Sequence, residues 1–171
     1  QSWANEALLK AAFTTFVKSI DRLDLLIQKK IKEVLREAGL HEQVARCQAV
    51  EGIGFLTATA LVMAFMRGEF KSSDSYIAFL GMDLRVIDSG QKNGRRRLTK
   101  RGCSEIRRLL HNAAMSASRT ATWKGIYEQH RNAGKATTQA LVILARKLAR
   151  VAFALMKNQD EYVTKGGKAP C

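Results

Sequence analysis

The sequence contains a single proline, Pro170, next to its last residue. Proline disrupts helices because its ring fixes φ and removes a backbone donor, so nothing of this kind interrupts a helix before that point. The sequence does not predict a β-sheet, because no stretch alternates apolar and polar residues for long enough. With 171 residues, 46% of them hydrophobic, the chain can bury a core of its own. We therefore predict an all-α fold.

Cysteine is scarce as well. The three cysteines, Cys47, Cys103 and Cys171, are an odd number and lack the spacing of metal ligands. This pattern argues against the disulfide framework of a secreted protein and favours a reduced compartment. Apolar runs of membrane-spanning length are missing, and the first residues do not form a signal peptide. We expect a cytoplasmic protein without a membrane partner.

The residues that a self-sufficient active site would need are few. The three histidines lie far apart, without the i, i+4 spacing of a metal-binding helix. Capping and turn roles account for Asp74 and Asp88, which lie near Asp83 in the sequence. Aromatic residues are 7% of the chain and mostly follow helical periodicity, so they predict packing and not base stacking. We expect no metal site and no cofactor in this chain.

Carboxylates are outnumbered by cationic side chains. Fifteen Asp and Glu stand against 29 Lys and Arg, which gives a net charge of +14. Such a charge attracts polyanions whatever the fold is. The composition therefore predicts a nucleic acid, and first of all DNA, as the partner.

A coiled-coil-like helix is predicted for residues 1–40. Its start at Gln1, already in a helical pattern, indicates a piece of a longer protein, and Gly39 is the expected end. Such a helix is about 55 Å long at 1.5 Å per residue, too long to be buried by so small a domain. We therefore predict a homo-oligomer through residues 9–34; the alternative is a helix that folds back on the chain's own core. Apolar residues recur at alternating spacings of four and three, with one step skipped at Lys30: Leu9, Phe13, Phe16, Ile20, Leu23, Ile27 and Val34.

A helix-hairpin-helix is predicted in "QAVEGIGFLTATALVMAFM", residues 48–66. Gly52 and Gly54 interrupt the helical pattern there and allow the backbone to turn tightly. The N–H groups at the start of the second helix would then suit a phosphate oxygen. The alternative is a hairpin of two helices that serves packing alone.

Two further helices follow from local signals. Ser72 or Ser73 is predicted to cap a short helix that Gly81 closes. Thr137 or Thr138 is predicted to cap the last helix, whose apolar stripe should form the core. That stripe consists of Leu141, Leu144, Ala145, Leu148, Val151, Ala152 and Leu155.

A basic loop is predicted at residues 88–102, "DSGQKNGRRRLTKRG". It places Ser89 and Gly90 before six cations, which are Lys92, Arg95, Arg96, Arg97, Lys100 and Arg101. Arg107 and Arg108 follow on the helix that begins after the loop. Such a loop is usually a run of charged side chains that water solvates. The alternative explanation is contact with nucleic-acid phosphates.

Four blocks of the sequence resemble the C-terminal transposase domain of the IS110 (IS116/IS902) family of insertion-sequence transposases, relatives of the Piv DNA invertases. They are "VEGIGFLTATALV", "FKSSDSYIAFLGM", "DSGQKNGRRRLTKRGCSEIRRLL" and "WKGIYEQHRNAGKATTQALVILARKLARVAFALM", in that order, within residues 50–156. The third block is the most specific. The resemblance implies a coiled-coil-like helix at 1–40 and a helical DNA-binding transposase domain at 41–160 with the basic loop at 88–102. The composition of the last residues, "TKGGKAPC", separately predicts a disordered tail at 161–171.

The resemblance implies a serine nucleophile in the S-G motif, which here is Ser89 with Gly90. The sequence departs from the family at two places, with Asp88 where a second serine is common and Arg96 where a glycine is common. The metal-binding carboxylates of the family belong to a separate RuvC-like domain, so Mg²⁺ is expected there and not in this chain. A structured guide RNA is a partner of at least some members.

The resulting hypothesis is the serine-bearing C-terminal domain of a DNA transposase or site-specific recombinase, inactive when it is isolated. A serine that attacks a phosphodiester needs exposure and nearby cations that stabilise the pentacovalent phosphate, and the basic loop offers both. One alternative is a non-catalytic helix-hairpin-helix module that binds backbone phosphates. Another is a coiled-coil assembly domain, which leaves the basic loop without a role.

Overall fold

The computed structural model describes residues 2–85 and 97–163. The helices and strands of these residues are α1 (Ser2–Glu37), α2 (His41–Gln48), α3 (Phe55–Phe65), α4 (Ser73–Phe79), β1 (Leu84–Arg85), β2 (Arg97–Leu98), α5 (Ser104–Ala117), α6 (Ala121–Asn132) and α7 (Thr137–Asn158). The predicted all-α class and the long N-terminal helix are confirmed. The two-residue strands were not predicted, because two residues are too short to show an alternating pattern.

The chain divides into two compact units, residues 1–41 and 42–171. In the first unit, α1 ends in the way its glycine predicts. Gly39 has φ +69°, a conformation that side chains with a Cβ rarely adopt. The N–H of Leu40 donates to the carbonyl of Leu35 and that of Gly39 to Arg36, at 2.8 and 3.0 Å. These two hydrogen bonds form a Schellman motif and satisfy carbonyls that the helix end would otherwise leave open.

In the second unit, α7 packs against α3, α4, α5 and α6. The predicted stripe of this helix is buried throughout: Leu141, Leu144, Ala145, Leu148, Val151, Ala152 and Leu155. The predicted cap of α7 is wrong, because the N-cap residue is Ala136 and not Thr137 or Thr138. Gln139 replaces a hydroxyl cap, since its Oε1 accepts a hydrogen bond from the N–H of Ala136 at 3.1 Å.

The short helix α4 is held against the core by Tyr76. Its hydroxyl donates to the carbonyl of Leu61 at 2.7 Å, and its ring lies among those of Phe65, Phe70 and Phe153. Burial raises the pKa of the Tyr76 phenol well above its ordinary value. Ser72 caps α4 as predicted, because its hydroxyl accepts a hydrogen bond from the N–H of Ser75. The residues that follow α4 thus start from a fixed position.

Candidate nucleic-acid interface

The basic loop is closed at its base by a two-stranded ladder. Leu84 pairs with Leu98 and Arg85 with Arg97 in antiparallel register. Below the ladder, the N–H of Thr99 donates to the carbonyl of Asp83 at 3.1 Å, and the Thr99 hydroxyl donates to the Asp83 carboxylate. These contacts hold the chain that enters the loop beside the chain that leaves it.

Two glycines allow the backbones to meet just below these hydrogen bonds. Gly81 has φ +69°, and its carbonyl accepts a hydrogen bond from the N–H of Lys100. A Cβ atom on Gly102 would lie 2.5 Å from the carbonyl oxygen of Phe79 and 2.6 Å from that of Leu80. Both distances are below the limit that real Cβ atoms show, so the end of α4 and the start of α5 can touch only without a side chain here.

Several predicted site residues lie outside the described part of the chain. They are Ser89, Lys92, Arg95 and Arg96, and Arg97 is described by its backbone alone. The structure therefore gives the frame from which the loop leaves the domain. The candidate nucleophile itself stays a prediction.

The four predicted cations that follow the loop fall into two groups. Lys100 and Arg101 are exposed, and the structure gives them no ion pair within residues 2–85 and 97–163. Arg107 and Arg108 are engaged: Arg107 donates to the carbonyl of Gly102, and Arg108 pairs with Glu105 one turn away. Arg107 thus stabilises the base of the loop, while Lys100 and Arg101 are available to an anion.

Lys100 also has an uncommon backbone conformation. Its φ is +56°, in the left-handed region where residues with a Cβ are disfavoured. Backbone strain of this kind persists where the surrounding contacts determine the conformation. Here the surrounding contacts include the hydrogen bond from Lys100 to Gly81.

The predicted helix-hairpin-helix corresponds to α2, a turn and α3. Gly52, at φ +92°, faces α5 so closely that a Cβ atom on it would lie 2.6 Å from Cβ of Ala117. A Cβ atom on Gly54 would meet no described atom within 4 Å. Gly52 is therefore required for packing, while the backbone at Gly54 is open to an incoming group. Phosphate contact at this turn stays a prediction.

Glu51, beside Gly52, has a structural role at the start of α6. Its carboxylate accepts a hydrogen bond from the hydroxyl of Thr122 at 2.7 Å. The hydroxyls of Thr122 and Thr120 lower the pKa of Glu51 below its ordinary value. Burial, followed by the charge of Glu51, raises the pKa of Tyr162, so a residue of the predicted tail lies close to this carboxylate. Residues 164–171 of that tail lie outside the described residues.

The hairpin turn and the loop base lie at opposite ends of α5. Gly52 contacts Ala113 and Ala117 near the end of this helix, whereas Arg107 lies in its second turn. From Arg107 to Ala117 the helix rises about 15 Å at 1.5 Å per residue. The predicted phosphate contacts at the turn and at the loop therefore require a ligand that is larger than one phosphate.

The two described cysteines differ in their environment. Cys47 is buried, and burial raises the pKa of its thiol to about 12. Cys103 is exposed at the N-cap of α5, where the backbone N–H groups of Ile106 and Glu105 lower the pKa of its thiol. Cys47 is consequently a core residue.

The aspartates near the loop have partners other than a metal. Asp83 accepts from Thr99, and Asp74 pairs with Arg150 at 2.6 Å, which lowers the pKa of that carboxyl. Within the described ranges, no three His, Cys, Asp or Glu side chains come together as metal ligands. None of the helices in the described part has both the length and the apolar content that crossing a membrane requires.

Sequence reasoning missed the cations of α7, because this helix was considered for its apolar stripe alone. Arg146, Lys147 and Arg150 lie half-buried on its remaining face and line a groove of about 930 Å³. The signal was present in the sequence, since residues 137–158 contain four Lys and Arg and no carboxylate.

Comparison with known proteins identifies the family of this chain. Residues 44–131 match the family described as Transposase IS116/IS110/IS902, a range that includes the hairpin, the basic loop, α5 and nearly all of α6. The match covers half of the chain. The chain belongs to this family.

Two curated transposases are similar to this family member over a longer range. The transposase for insertion sequence element IS1111A of Coxiella burnetii is 28% identical over 141 residues, which are 77% of this chain and 37% of the relative. A probable family 20 transposase of Pseudomonas aeruginosa is 28% identical over 159 residues, which are 90% of this chain and 45% of the relative. The chain thus spans less than half the length of either relative.

Proposed function

We propose that this chain is the DNA-binding, serine-bearing C-terminal part of a DNA transposase that breaks and rejoins strands through a serine–DNA link. The observation that carries the proposal is the family match over residues 44–131, because that range contains the whole basic loop at 88–102. The net charge of +14 and the unpaired Lys100 and Arg101 at the loop base, as far as the structure describes their surroundings, support a DNA partner.

Ser89 is the proposed nucleophile. Its Oγ forms a bond to the phosphorus of a backbone phosphodiester, and the bond from that phosphorus to the departing deoxyribose oxygen breaks. The serine proton goes to a base, and the departing oxygen takes up a proton. Arginine and lysine side chains of the loop stabilise the charge on the pentacovalent phosphate. Rejoining reverses these steps with another deoxyribose hydroxyl as the attacking group.

A separate RuvC-like domain is proposed to activate this serine. A hydroxyl is a weak nucleophile without a base or a metal, and arginine stays protonated and is a poor base. Asp88 is the only carboxylate within the stretch from 84 to 104, and the described aspartates have other partners. Mg²⁺ bound by that domain would supply metal-assisted activation. The 171-residue chain alone is therefore expected to bind DNA without cutting it.

The test is to incubate DNA that carries the target ends with Mg²⁺ and either this chain or the full-length transposase. We expect a protein–DNA adduct that survives denaturation from the full-length protein and none from the 171-residue chain. Ser89→Ala should abolish the adduct and retain DNA binding, while Ser116→Ala, which removes an exposed hydroxyl of α5, should retain both. An adduct in Ser89→Ala would refute the choice of residue. Full-length protein that binds DNA and never forms an adduct would favour the non-catalytic helix-hairpin-helix module.

Binding itself is proposed to be mainly electrostatic. If the basic loop and the hairpin together neutralise about five phosphates, log K against log salt should have a slope of about −4 to −5 on duplex DNA. Arg95→Ala with Arg96→Ala and Arg97→Ala should flatten this slope by up to about three units. A control with equal charge loss on α1, Lys18→Ala with Arg22→Ala and Lys29→Ala, should leave the slope nearly unchanged, because these exposed cations belong to neither predicted phosphate contact. A slope near zero in the unsubstituted chain would contradict a DNA-binding role.

Two further partners belong to the proposal. A second copy of the chain is the proposed partner of α1, because all seven residues of the predicted seam are exposed in one copy. A structured guide RNA is the other, on the strength of the family resemblance and of the positive charge that would attract it.

A further inference from the structure

The exposed face of α7 carries charge of one sign. This helix packs against α3, α4, α5 and α6, and the spacing of its four cations places them together on one face. Arg146, Lys147 and Arg150 are half-buried there, and Lys157 is exposed. No carboxylate of α7 opposes them, because residues 137–158 contain neither Asp nor Glu. An anion that approaches this face meets no repulsion from the helix itself.

Two of the four cations of α7 already have partners within the domain. Arg150 pairs with Asp74 at 2.6 Å, and Nζ of Lys157 donates to the carbonyl of Lys71 at 2.8 Å. Lys147 has no ion pair within the described residues, and Nε of Arg146 is buried without a hydrogen-bond partner among them. Burial, followed by the charge of Arg150, lowers the pKa of Arg146, against the opposing charges of Asp74 and Asp83. A half-buried guanidinium beside another cation is stabilised by an incoming anion.

The shape of the surface selects a long anion. The groove of about 930 Å³ follows α7 from Ile143 to Asn158, which is about 22 Å at 1.5 Å per residue. Asp160 and Glu161 line the end beyond Asn158, so an anion is favoured at the end that holds Arg146 and Lys147. A single phosphate would occupy a small part of that length. Arg146 also lines a second depression, of about 410 Å³, together with Leu84 and Leu98 of the ladder. The same side chain thus connects the groove to the base of the basic loop.

We propose that Arg146 and Lys147 bind the phosphodiester backbone of a nucleic acid that runs along the α7 groove toward the base of the basic loop. The site rests on the proposed function, because it extends the same nucleic-acid contact to a second surface. It lies beyond residues 44–131, the range that the family match covers. Side chains of this kind position a strand by its phosphates and do not read its sequence.

The experiment compares two variants of the 171-residue chain that lose equal charge. Arg146→Gln with Lys147→Gln removes two proposed contacts, and Arg119→Gln with Lys124→Gln removes two cations from another surface. Binding to a short labelled duplex is measured over a range of salt concentrations, in one arm with DNA and in the other with RNA of the same sequence. We expect the first variant to reduce the slope of log K against log salt by about two units and the control to leave it nearly unchanged.

A direct footprint accompanies the titration, in case the variant does not fold. Lysines of the unsubstituted chain are acetylated with and without the duplex, and the modified peptides are measured by mass spectrometry. Lys147 should be protected several-fold by the duplex, whereas Lys124 should react equally in both samples. If Lys147 is protected and the slope is reduced with only one of the two duplexes, that duplex identifies the ligand as DNA or RNA. If both duplexes give these results, the site binds the phosphodiester backbone of either nucleic acid.

The outcomes separate this site from the proposed function. If the unsubstituted chain binds neither duplex with a salt-dependent affinity, the nucleic-acid function fails and the site fails with it. If the chain binds and Lys147 reacts equally with and without the duplex, the α7 site alone is refuted. The same conclusion follows if a folded Arg146→Gln, Lys147→Gln variant keeps the original slope.

Discussion

Gly102 has no room for a side chain. A Cβ atom there would lie 2.5 Å from the carbonyl oxygen of Phe79, a backbone atom that cannot rotate away. Gly102→Ala must therefore push the end of α4 from the start of α5, and we expect a loss of about 1–3 kcal/mol in the free energy of unfolding. Urea unfolding followed by circular dichroism measures it.

The control for this change is Gly125→Ala. Gly125 lies exposed within α6, and a Cβ atom there would meet no described atom within 4 Å. Because alanine favours a helix over glycine, this substitution should stabilise the chain by about 0.5–1 kcal/mol. Equal effects of the two substitutions would show that the contact between Gly81 and Gly102 does not constrain the loop base.

Glu51 should make stability depend on pH in the acid range. Its folded pKa is lower than the ordinary value of 4.5, because the hydroxyls of Thr122 and Thr120 bind the carboxylate. The stabilisation is therefore present above about pH 4.5 and is lost as the pH falls through the folded pKa. Glu51→Gln should cost about 0.5–1 kcal/mol at pH 7, because a hydrogen bond to a charged carboxylate becomes one to a neutral amide, and this difference should shrink in acid.

The measurement is urea unfolding of both proteins at several pH values. Glu128→Gln is the matched control, since Glu128 lies on α6, the helix that Glu51 contacts, in an exposed pair with Lys124 and should matter little. A difference between Glu51→Gln and the unsubstituted chain that stays constant from pH 7 to acid would contradict the role of the charged carboxylate.

At the scale of elements, the exposed apolar face of α1 predicts self-association. Phe16 is 62% and Ile20 50% exposed in one copy, so water contacts much of both side chains. Phe16→Lys with Ile20→Lys should convert an oligomer into a monomer in light scattering, because lysine cannot pack in a coiled-coil seam. Helix content elsewhere should be retained.

The matched control adds the same charge to the opposite face of α1. Thr14 and Thr15 lie there, with their hydroxyls bonded to carbonyls of the preceding turn. Thr14→Lys with Thr15→Lys should leave the mass unchanged. A mass that is the same in all three proteins would remove a second copy from the list of partners.

The sequence predicts some elements of this fold better than others. The stripe of α7 was predicted in full, because a buried helix repeats its apolar residues at helical spacing. Helix α6 was missed, because Gly125 interrupts it and Trp123 is its only fully buried side chain. Part of its stability comes from Glu51, which is distant in sequence, and no local pattern contains such a contact.

At the scale of the molecule, the sequence predicts which residues belong to the candidate site, but it does not predict how far apart they lie. The glycines of the hairpin and the cations of the loop were both recognised by their residue types. Their separation along α5 depends on the contact of Gly52 with Ala117, which has no local signature. The connection through Arg146 depends likewise on α7 passing beside Leu84 and Leu98. The composition gives the total charge, and the packing decides which charges share a surface.

The closed base of the loop also bears on how such a protein can diversify. The backbones meet at Gly81 and Gly102, so the contact between α4 and α5 does not depend on the residues between the two strands. A longer insertion there costs little, since doubling the length of a loop adds only about 0.6 kcal/mol of closure entropy. The helices on either side therefore tolerate a change in the length of the chain between the two strands, because the contacts that fix them lie below the strands.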